Sequence, residues 1–472
     1  MRARWLVFLL CAPVLAYAGA GEHGDPVASV ILVVTGLFLC ALLGRYVAHR
    51  LHQPGVLGEL LMGVLLGNIG YFFGSHLIII LREGPAIFSI VQDIFNGFSV
   101  TAAVHSVIAN ADDAQSIISV LSSVQNIEYL KIAYIVDVFS RYGVIFLLFM
   151  VGLESSFTEL KHTGSESFKV ALIGVVAPMI LGFFVAFGLL PDASWQTCLF
   201  VGATLSATSI GITARVLADL KKLKTREART ILGAAMLDDV LGLIILAAVS
   251  SVITQGSINP WGIMHIAVLT LLFFAGVLLL GPLILQKAIY FFRFLPLWEA
   301  KLVVSFLFVM SLAWLASYIQ LAAIIGAFAA GLLINDSYFE LGTDKNKTEL
   351  NIWQLISPLA SVLTPLFFIV IGLQVKLETF FNKPVLLLAA ALTAAAILGK
   401  LISGLGANKK DDAWLIGIGM LPRGEVGLVF ASIGKTLGVI SDALFSAIVL
   451  MVVVTTFIAP PLLKIRYAKK QQ

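Results

Sequence analysis

Two carboxylates stand side by side inside an apolar run, Ile231-Leu-Gly-Ala-Ala-Met-Leu-Asp238-Asp239-Val-Leu-Gly-Leu-Ile-Ile-Leu246. A single ionised carboxylate surrounded by hydrocarbon already costs several kcal/mol. Two neighbours also repel, so the pair invites a cation, a proton or a basic partner. Adjacent helical residues point about 100° apart and cannot face one cavity equally. One of the two is therefore expected to bind an ion while the other meets a neighbouring helix. Ionisable groups in such a setting mark ion pathways and proton relays by default, and the competing reading is a structural ion pair between helices.

The other charges inside apolar stretches have separate readings. Lys400, in Ala-Ala-Ala-Ile-Leu-Gly-Lys400-Leu-Ile-Ser-Gly, is too far from the Lys409-Lys410 cluster to belong to it. A buried ammonium needs a carboxylate; the bland alternative is a lysine whose stem snorkels to an interface. Arg423 and Glu425 sit in Gly417-Ile-Gly-Met-Leu-Pro422-Arg423-Gly424-Glu425-Val-Gly427, where Pro and Gly must interrupt a helix. They are read as structural support for the opened backbone. Glu154, closing Phe149-Met-Val-Gly-Leu-Glu154, is read as a partner for Arg215 or Arg423, and Glu59 either meets a neighbouring helix or is solvated. A second polar interruption, Gly202-Ala-Thr-Leu-Ser-Ala-Thr208-Ser209-Ile-Gly211-Ile-Thr213, offers oxygen ligands. Thr208 is expected to present its carbonyl and Ser209 a side-chain oxygen, the donor type a hard cation prefers.

The elements that must position these residues are membrane helices. The chain of 472 residues is 59% hydrophobic and 12% charged, with mean hydropathy +1.00, against about 45–50% and about 25% in soluble domains. Its three cysteines, Cys11, Cys40 and Cys198, exclude a disulfide framework and a Cys-rich metal site. No nucleotide-binding loop motif is present, which argues against ATP-driven transport. A span needs about 20 apolar residues. Thirteen candidates lie near 28–48, 56–73, 142–157, 169–190, 196–217, 231–253, 263–290, 301–319, 321–335, 355–375, 384–406, 413–436 and 440–463. Residues 1–18 carry a signal-peptide-like pattern, a basic start, an apolar run and Ala16-Tyr17-Ala18.

Most of the 31 Lys and Arg residues fall on one side if the first span runs inward, which puts the N-terminus outside and the basic tail 464–472 in the cytoplasm. Thirteen spans divide as six, one and six. Residues 28–253 then form a first six-helix repeat, 263–290 a linker helix, and 301–463 a second repeat of inverted topology. Each polar interruption falls in the fifth span of its six, so two broken helices are expected to cross. Residues 74–141 do not fit the pattern; they are read as amphipathic helices on the outer face, or as a re-entrant pair, with Asp112-Asp113 a solvated helix start.

At these residues the chain resembles the monovalent cation:proton antiporters of the sodium/proton exchanger superfamily, in the bacterial NapA-like branch with Kef-type antiporters nearby. The matching pieces run from Gln53-Pro-Gly-Val-Leu-Gly-Glu-Leu through Ala207-Thr-Ser-Ile-Gly-Ile-Thr-Ala-Arg-Val-Leu, Leu237-Asp-Asp-Val-Leu-Gly, Ile325-Gly-Ala-Phe-Ala-Ala-Gly and Pro365-Leu-Phe-Phe-Ile-Val-Ile-Gly-Leu to Pro422-Arg-Gly-Glu-Val-Gly-Leu-Val. The resemblance implies an all-α fold with a dimerisation domain and a mobile core, moving by an elevator-like mechanism in a homodimer. It implies that Asp239 is the essential carboxylate binding Na⁺ and H⁺, that Asp238 pairs with Lys400, and that Thr208 and Ser209 lie near the ion. The implied activity is Na⁺/H⁺ exchange, with Li⁺ also accepted, in a bacterial inner membrane. K⁺/H⁺ exchange is the alternative, and a passive cation channel or sensor is a third reading. No cofactor is expected beyond the transported ions, and no nucleic-acid partner.

Overall fold

The computed structural model describes residues 26–470 except 52, 85, 109–110, 123–125, 155–163, 221, 223–224, 255–259, 320, 340–349 and 424. The signal-like segment 1–18 lies outside the described residues, as does the side chain of Glu425. Among the described residues the regular structure is helical. The α-helices are α1 (Pro26–Arg50), α2 (Gly55–Phe72), α3 (His76–Glu83), α4 (Ala86–Phe95), α5 (Val100–Val107), α6 (Ala111–Leu121), α7 (Asn126–Glu154), α8 (Ser165–Leu189), α9 (Trp195–Ser206), α10 (Ile210–Asp219) and α11 (Arg226–Thr254). They continue with α12 (Pro260–Phe291), α13 (Leu297–Tyr318), α14 (Ala323–Leu333), α15 (Ile352–Leu373), α16 (Lys383–Ser403), α17 (Ala413–Gly419), α18 (Glu425–Thr436) and α19 (Asp442–Lys470). Ten of the described helices are long and apolar enough to cross a bilayer. The two spans expected to be broken are each a pair of short helices, α9–α10 and α17–α18. The ninth expected span appears as the 11-residue α14. This is an all-α polytopic membrane protein.

The chain forms two compact units. The first gathers α1–α6, α7 as far as Gly143, and the stretches Val362–Leu386 and Ser441–Val449. Its core is aliphatic, built on Val33, Leu37, Ile78, Ile80, Ile117, Ile132 and Ile369. Small residues set the spacing of its helices. A Cβ on Gly63 of α2 would lie 2.2 Å from the Ile369 carbonyl of α15, and one on Gly372 would lie 2.2 Å from the Leu60 carbonyl. The 74–141 stretch supplies α3 to α6, which pack into this core with their apolar faces. Gly84, at φ +57°, turns the chain after α3 in a conformation that an L side chain rarely adopts.

The second unit comprises Val144–Ser361, Leu387–Ile440 and Leu450–Gln472. It contains both interrupted helices, the aspartate pair and Lys400. Its core includes Ala171, Leu217, Ile231, Ala235, Leu415, Met420 and Leu463. Ser194 starts α9 by accepting the Thr197 N–H at 3.2 Å, and Asp412 starts α17 by accepting that of Leu415 at 3.1 Å; such caps satisfy donors that a helix start leaves open.

Candidate functional site

The site begins with two failures of helix. After Ser206 the backbone becomes extended, with Ala207 at φ −60° and ψ 140°, and α10 starts only at Ile210. Hydroxyl-bearing residues compete with the helical ladder for backbone groups. Thr204 donates to the Phe200 carbonyl at 2.9 Å and Ser206 to that of Ala203 at 2.7 Å. The Ser209 hydroxyl accepts the Ile212 N–H at 3.4 Å and so caps α10. In the second interruption Pro422, which has no N–H, lies between α17 and α18.

The two interruptions meet. The Ser209 N–H donates to the Pro422 carbonyl at 2.9 Å, and the Thr213 hydroxyl donates to the Gly419 carbonyl at 3.0 Å. Arg423 is buried and returns the support: Nη1 donates to the Ala207 carbonyl at 2.8 Å and Nη2 to that of Ala396 in α16 at 3.4 Å. Carbonyls orphaned by the breaks thus find partners inside the protein, as a dry environment requires.

Asp238 and Asp239 lie beside this crossing on α11, 1% and 3% exposed. Lys400 Nζ, with no exposed surface, donates to Asp238 Oδ1 at 3.1 Å and to Oδ2 at 3.3 Å. The two aspartates are not equivalent: Asp238 holds the ammonium, and Asp239 lies within its electrostatic reach. Arg423 acts on Asp238 electrostatically, and the Thr208 hydroxyl faces the Asp238 carboxylate outside strict hydrogen-bond geometry. The lysine's position is set by close packing of α16 on α8. A Cβ on Gly399 would lie 2.6 Å from Pro178 Cα, and one on Gly174 would lie 3.7 Å from Lys400 Nζ. Such an arrangement can neutralise a carboxylate by a proton or by a metal cation, while a fixed ammonium and guanidinium keep the dry site from carrying uncompensated negative charge.

The other residues take these places. The Ser209 hydroxyl caps α10, and the Thr208 hydroxyl lies toward the Asp238 carboxylate. Glu154 is the exposed last residue of α7, and the Arg423 guanidinium donates to the carbonyls of Ala207 and Ala396, while the side chain of Arg215 lies outside the described residues. Glu59 is not a solvated helix end; it is buried and accepts a 2.5 Å bond from Arg45 Nε. Asp113 is not a solvated helix start either. It is buried and accepts a 2.7 Å bond from Lys376 Nζ, which also meets Glu83 at 2.9 Å and Asp442 at 2.7 Å. Burial opposes the charge on Lys376, but Glu83, Asp442 and Asp113 outweigh it and hold its pKa above the ordinary lysine value. This ionic knot was illegible in the chain, since Asp113 and Lys376 are 263 positions apart.

The family model described as "Sodium/hydrogen exchanger, transmembrane" matches residues 37–466. The chain is 35% identical to the high-affinity Na(+)/H(+) antiporter NhaS3 of Synechocystis sp., over 94% of this chain and 92% of that one. It is 34% identical to the Na(+)/H(+)-K(+) antiporter GerN of Bacillus cereus, over 71% of this chain and 84% of that one. Among solved structures it is similar to the sodium proton antiporter MjNhaP1 from Methanocaldococcus jannaschii, with a TM-score of 0.57 and 15% identity, covering 94% of this chain and 98% of that one. That last likeness speaks for the fold alone.

Proposed function

This chain belongs to the sodium/hydrogen exchanger family, and we propose that the Asp238–Asp239 pair is where it exchanges Na⁺ for H⁺. It is a multi-pass membrane antiporter of cations and protons, not an enzyme. The observation that carries the site assignment is the buried Lys400–Asp238 pair beside the meeting point of the two broken helices, with Asp239 one residue on. In this reading Asp239 takes either a proton or a cation, Asp238 is held by Lys400, and Thr208 and Ser209 line the ion's surroundings. Sharing one carboxylate makes the two ions exclusive, and that exclusion couples their fluxes.

The Na⁺ assignment follows the similarity, at 35% identity, to a high-affinity Na(+)/H(+) antiporter. K⁺ is the second reading, because the similar GerN is a Na(+)/H(+)-K(+) antiporter. Elevator-type alternating access in a homodimer follows from the family resemblance, and the repeats 28–253 and 301–463 about a linker helix at 263–290 follow from the division of the spans. A bacterial inner membrane location follows from the family resemblance, and the orientation, with the N-terminus outside and the C-terminus cytoplasmic, rests on the distribution of Lys and Arg. Purified protein in proteoliposomes with an imposed pH gradient tests the reading. Added Na⁺ should dissipate the gradient and K⁺ should do so less well. Cation flux with no proton counter-flow would leave a channel instead.

A further inference from the structure

A broken helix leaves carbonyls that no helical N–H reaches. Three in the second interruption have identifiable donors: Gly419 receives the Thr213 hydroxyl, Pro422 the Ser209 N–H, and Arg423 the hydroxyl of Thr456. The first two donors belong to the crossing partner. The third comes from α19, a helix to which the site assignment gives no role. Thr456 is buried, and α19 lies close to α18 there, since a Cβ on Gly427 would sit 3.6 Å from Val452 Cγ2. The neighbouring Thr455 behaves differently. Its hydroxyl bonds its own helix, at Met451 (2.8 Å) and Val452 (3.1 Å), as threonines in membrane helices do when they have no other task.

Arg423 is consequently held at both ends. Its carbonyl is tied to α19, and its guanidinium reaches Ala207 in the first interruption and acts on Asp238. Releasing the carbonyl would let the backbone of residue 423 turn toward another donor and carry the guanidinium with it. We propose that Thr456 is a positioning residue for the exchange site: its hydroxyl fixes the Arg423 carbonyl, and through it the guanidinium that holds the opened Ala207 backbone beside the aspartate pair. This rests on the proposed function, in which that pair carries the ions.

The test compares Thr456→Val, Thr456→Ser and Thr455→Val in proteoliposomes, measuring cation KM, kcat and the pH dependence of exchange. Valine keeps the volume and removes the donor; serine keeps the donor. Thr456→Val should raise the cation KM by about tenfold, equivalent to ~1.4 kcal/mol, and displace the pH profile, with kcat near wild type. Thr456→Ser and Thr455→Val should match wild type in all three. Unchanged KM and pH profile in Thr456→Val would overturn the proposal. So would equal effects from Thr455→Val, which would mean a general disturbance of α19. If Thr456→Val fails to accumulate in the membrane while Thr456→Ser does accumulate, the hydroxyl serves the fold as a whole and the positioning role is wrong. A wild-type protein that carries no coupled exchange would overturn the site's function itself, and this inference with it.

Discussion

At the scale of single residues, the unequal surroundings of two adjacent aspartates predict different effects of substitution in the proposed exchange. Asp239→Asn should abolish coupled exchange while membrane insertion and folding persist, because an amide cannot trade a proton for a cation at working pH. Retained pH-gradient-driven Na⁺ or K⁺ flux in that variant would place the chemistry elsewhere. Lys400→Ala has another signature. It strands the buried Asp238 carboxylate without its ammonium, and removing one partner of a buried pair costs about 3–5 kcal/mol. The variant should unfold at lower temperature. Lys400→Ala combined with Asp238→Asn should recover part of the loss, because no buried charge is then left alone. Thermal unfolding of the single and double variants decides it: equal stability of the two would mean that the 3.1 Å contact is not an energetic pair.

At the scale of elements, the site depends on helices that stop and helices that touch. The Ser209 hydroxyl caps α10, so Ser209→Ala should cost about 1 kcal/mol of stability and affect ion affinity only through the frame. Thr208→Ala removes the hydroxyl that faces Asp238 and should raise the cation KM more than Ser209→Ala does. Initial-rate titrations with cation, alongside melting curves, separate the two effects. Contact between α8 and α16 makes a sharper case. Gly399→Ala would set a methyl 2.6 Å from Pro178 Cα, against backbone that cannot turn away. The helices must part, and overpacking of this kind typically costs about 1–3 kcal/mol. Because Lys400 is the next residue, the variant should weaken exchange as well as stability. A Gly399→Ala protein with wild-type kinetics would show that α16 need not sit so close.

At the scale of the whole molecule, stability draws on a second ionic centre that takes no part in the proposed exchange. Lys376 gathers Glu83 of α3, Asp113 of α6 and Asp442 of α19, and its backbone N–H donates to Ser446 at 3.1 Å. The knot thus binds the 74–141 helices to the remainder of their unit. Its pKa lies above the ordinary lysine value. The stabilisation is therefore fully present below that ordinary value and is lost only as pH rises through the raised one, so it is constant across neutral conditions. Lys376→Met should lower thermal stability by about 3–5 kcal/mol, and a further Asp113→Asn should offset part of that. If Lys376→Met melts like wild type at neutral pH, the knot is not what holds these helices. Because the knot lies outside the proposed site, residual exchange in the surviving folded protein should keep its wild-type cation KM.

Sequence alone determined the all-helical membrane class, both interruptions and the placement of an aspartate pair and a lysine in apolar surroundings. These are local matters: hydropathy decides what can lie in a bilayer, Pro422 cannot continue a helical ladder, and the run Thr208-Ser209 offers the backbone other partners. The family resemblance added the pairing of Lys400 with Asp238, which spacing could not supply. Tertiary structure decided which charge meets which in every other case. Asp113 looked like a wet helix start and is buried on Lys376; Glu59 looked undecided and is held by Arg45; Ser209 caps a helix; and the hydroxyl of Thr456 holds a carbonyl of the break. The reason is geometric. A helix's rotation about its own axis, and the neighbour it then faces, are set by packing between segments hundreds of residues apart, and a turn of about 100° per residue separates a ligand from a cap.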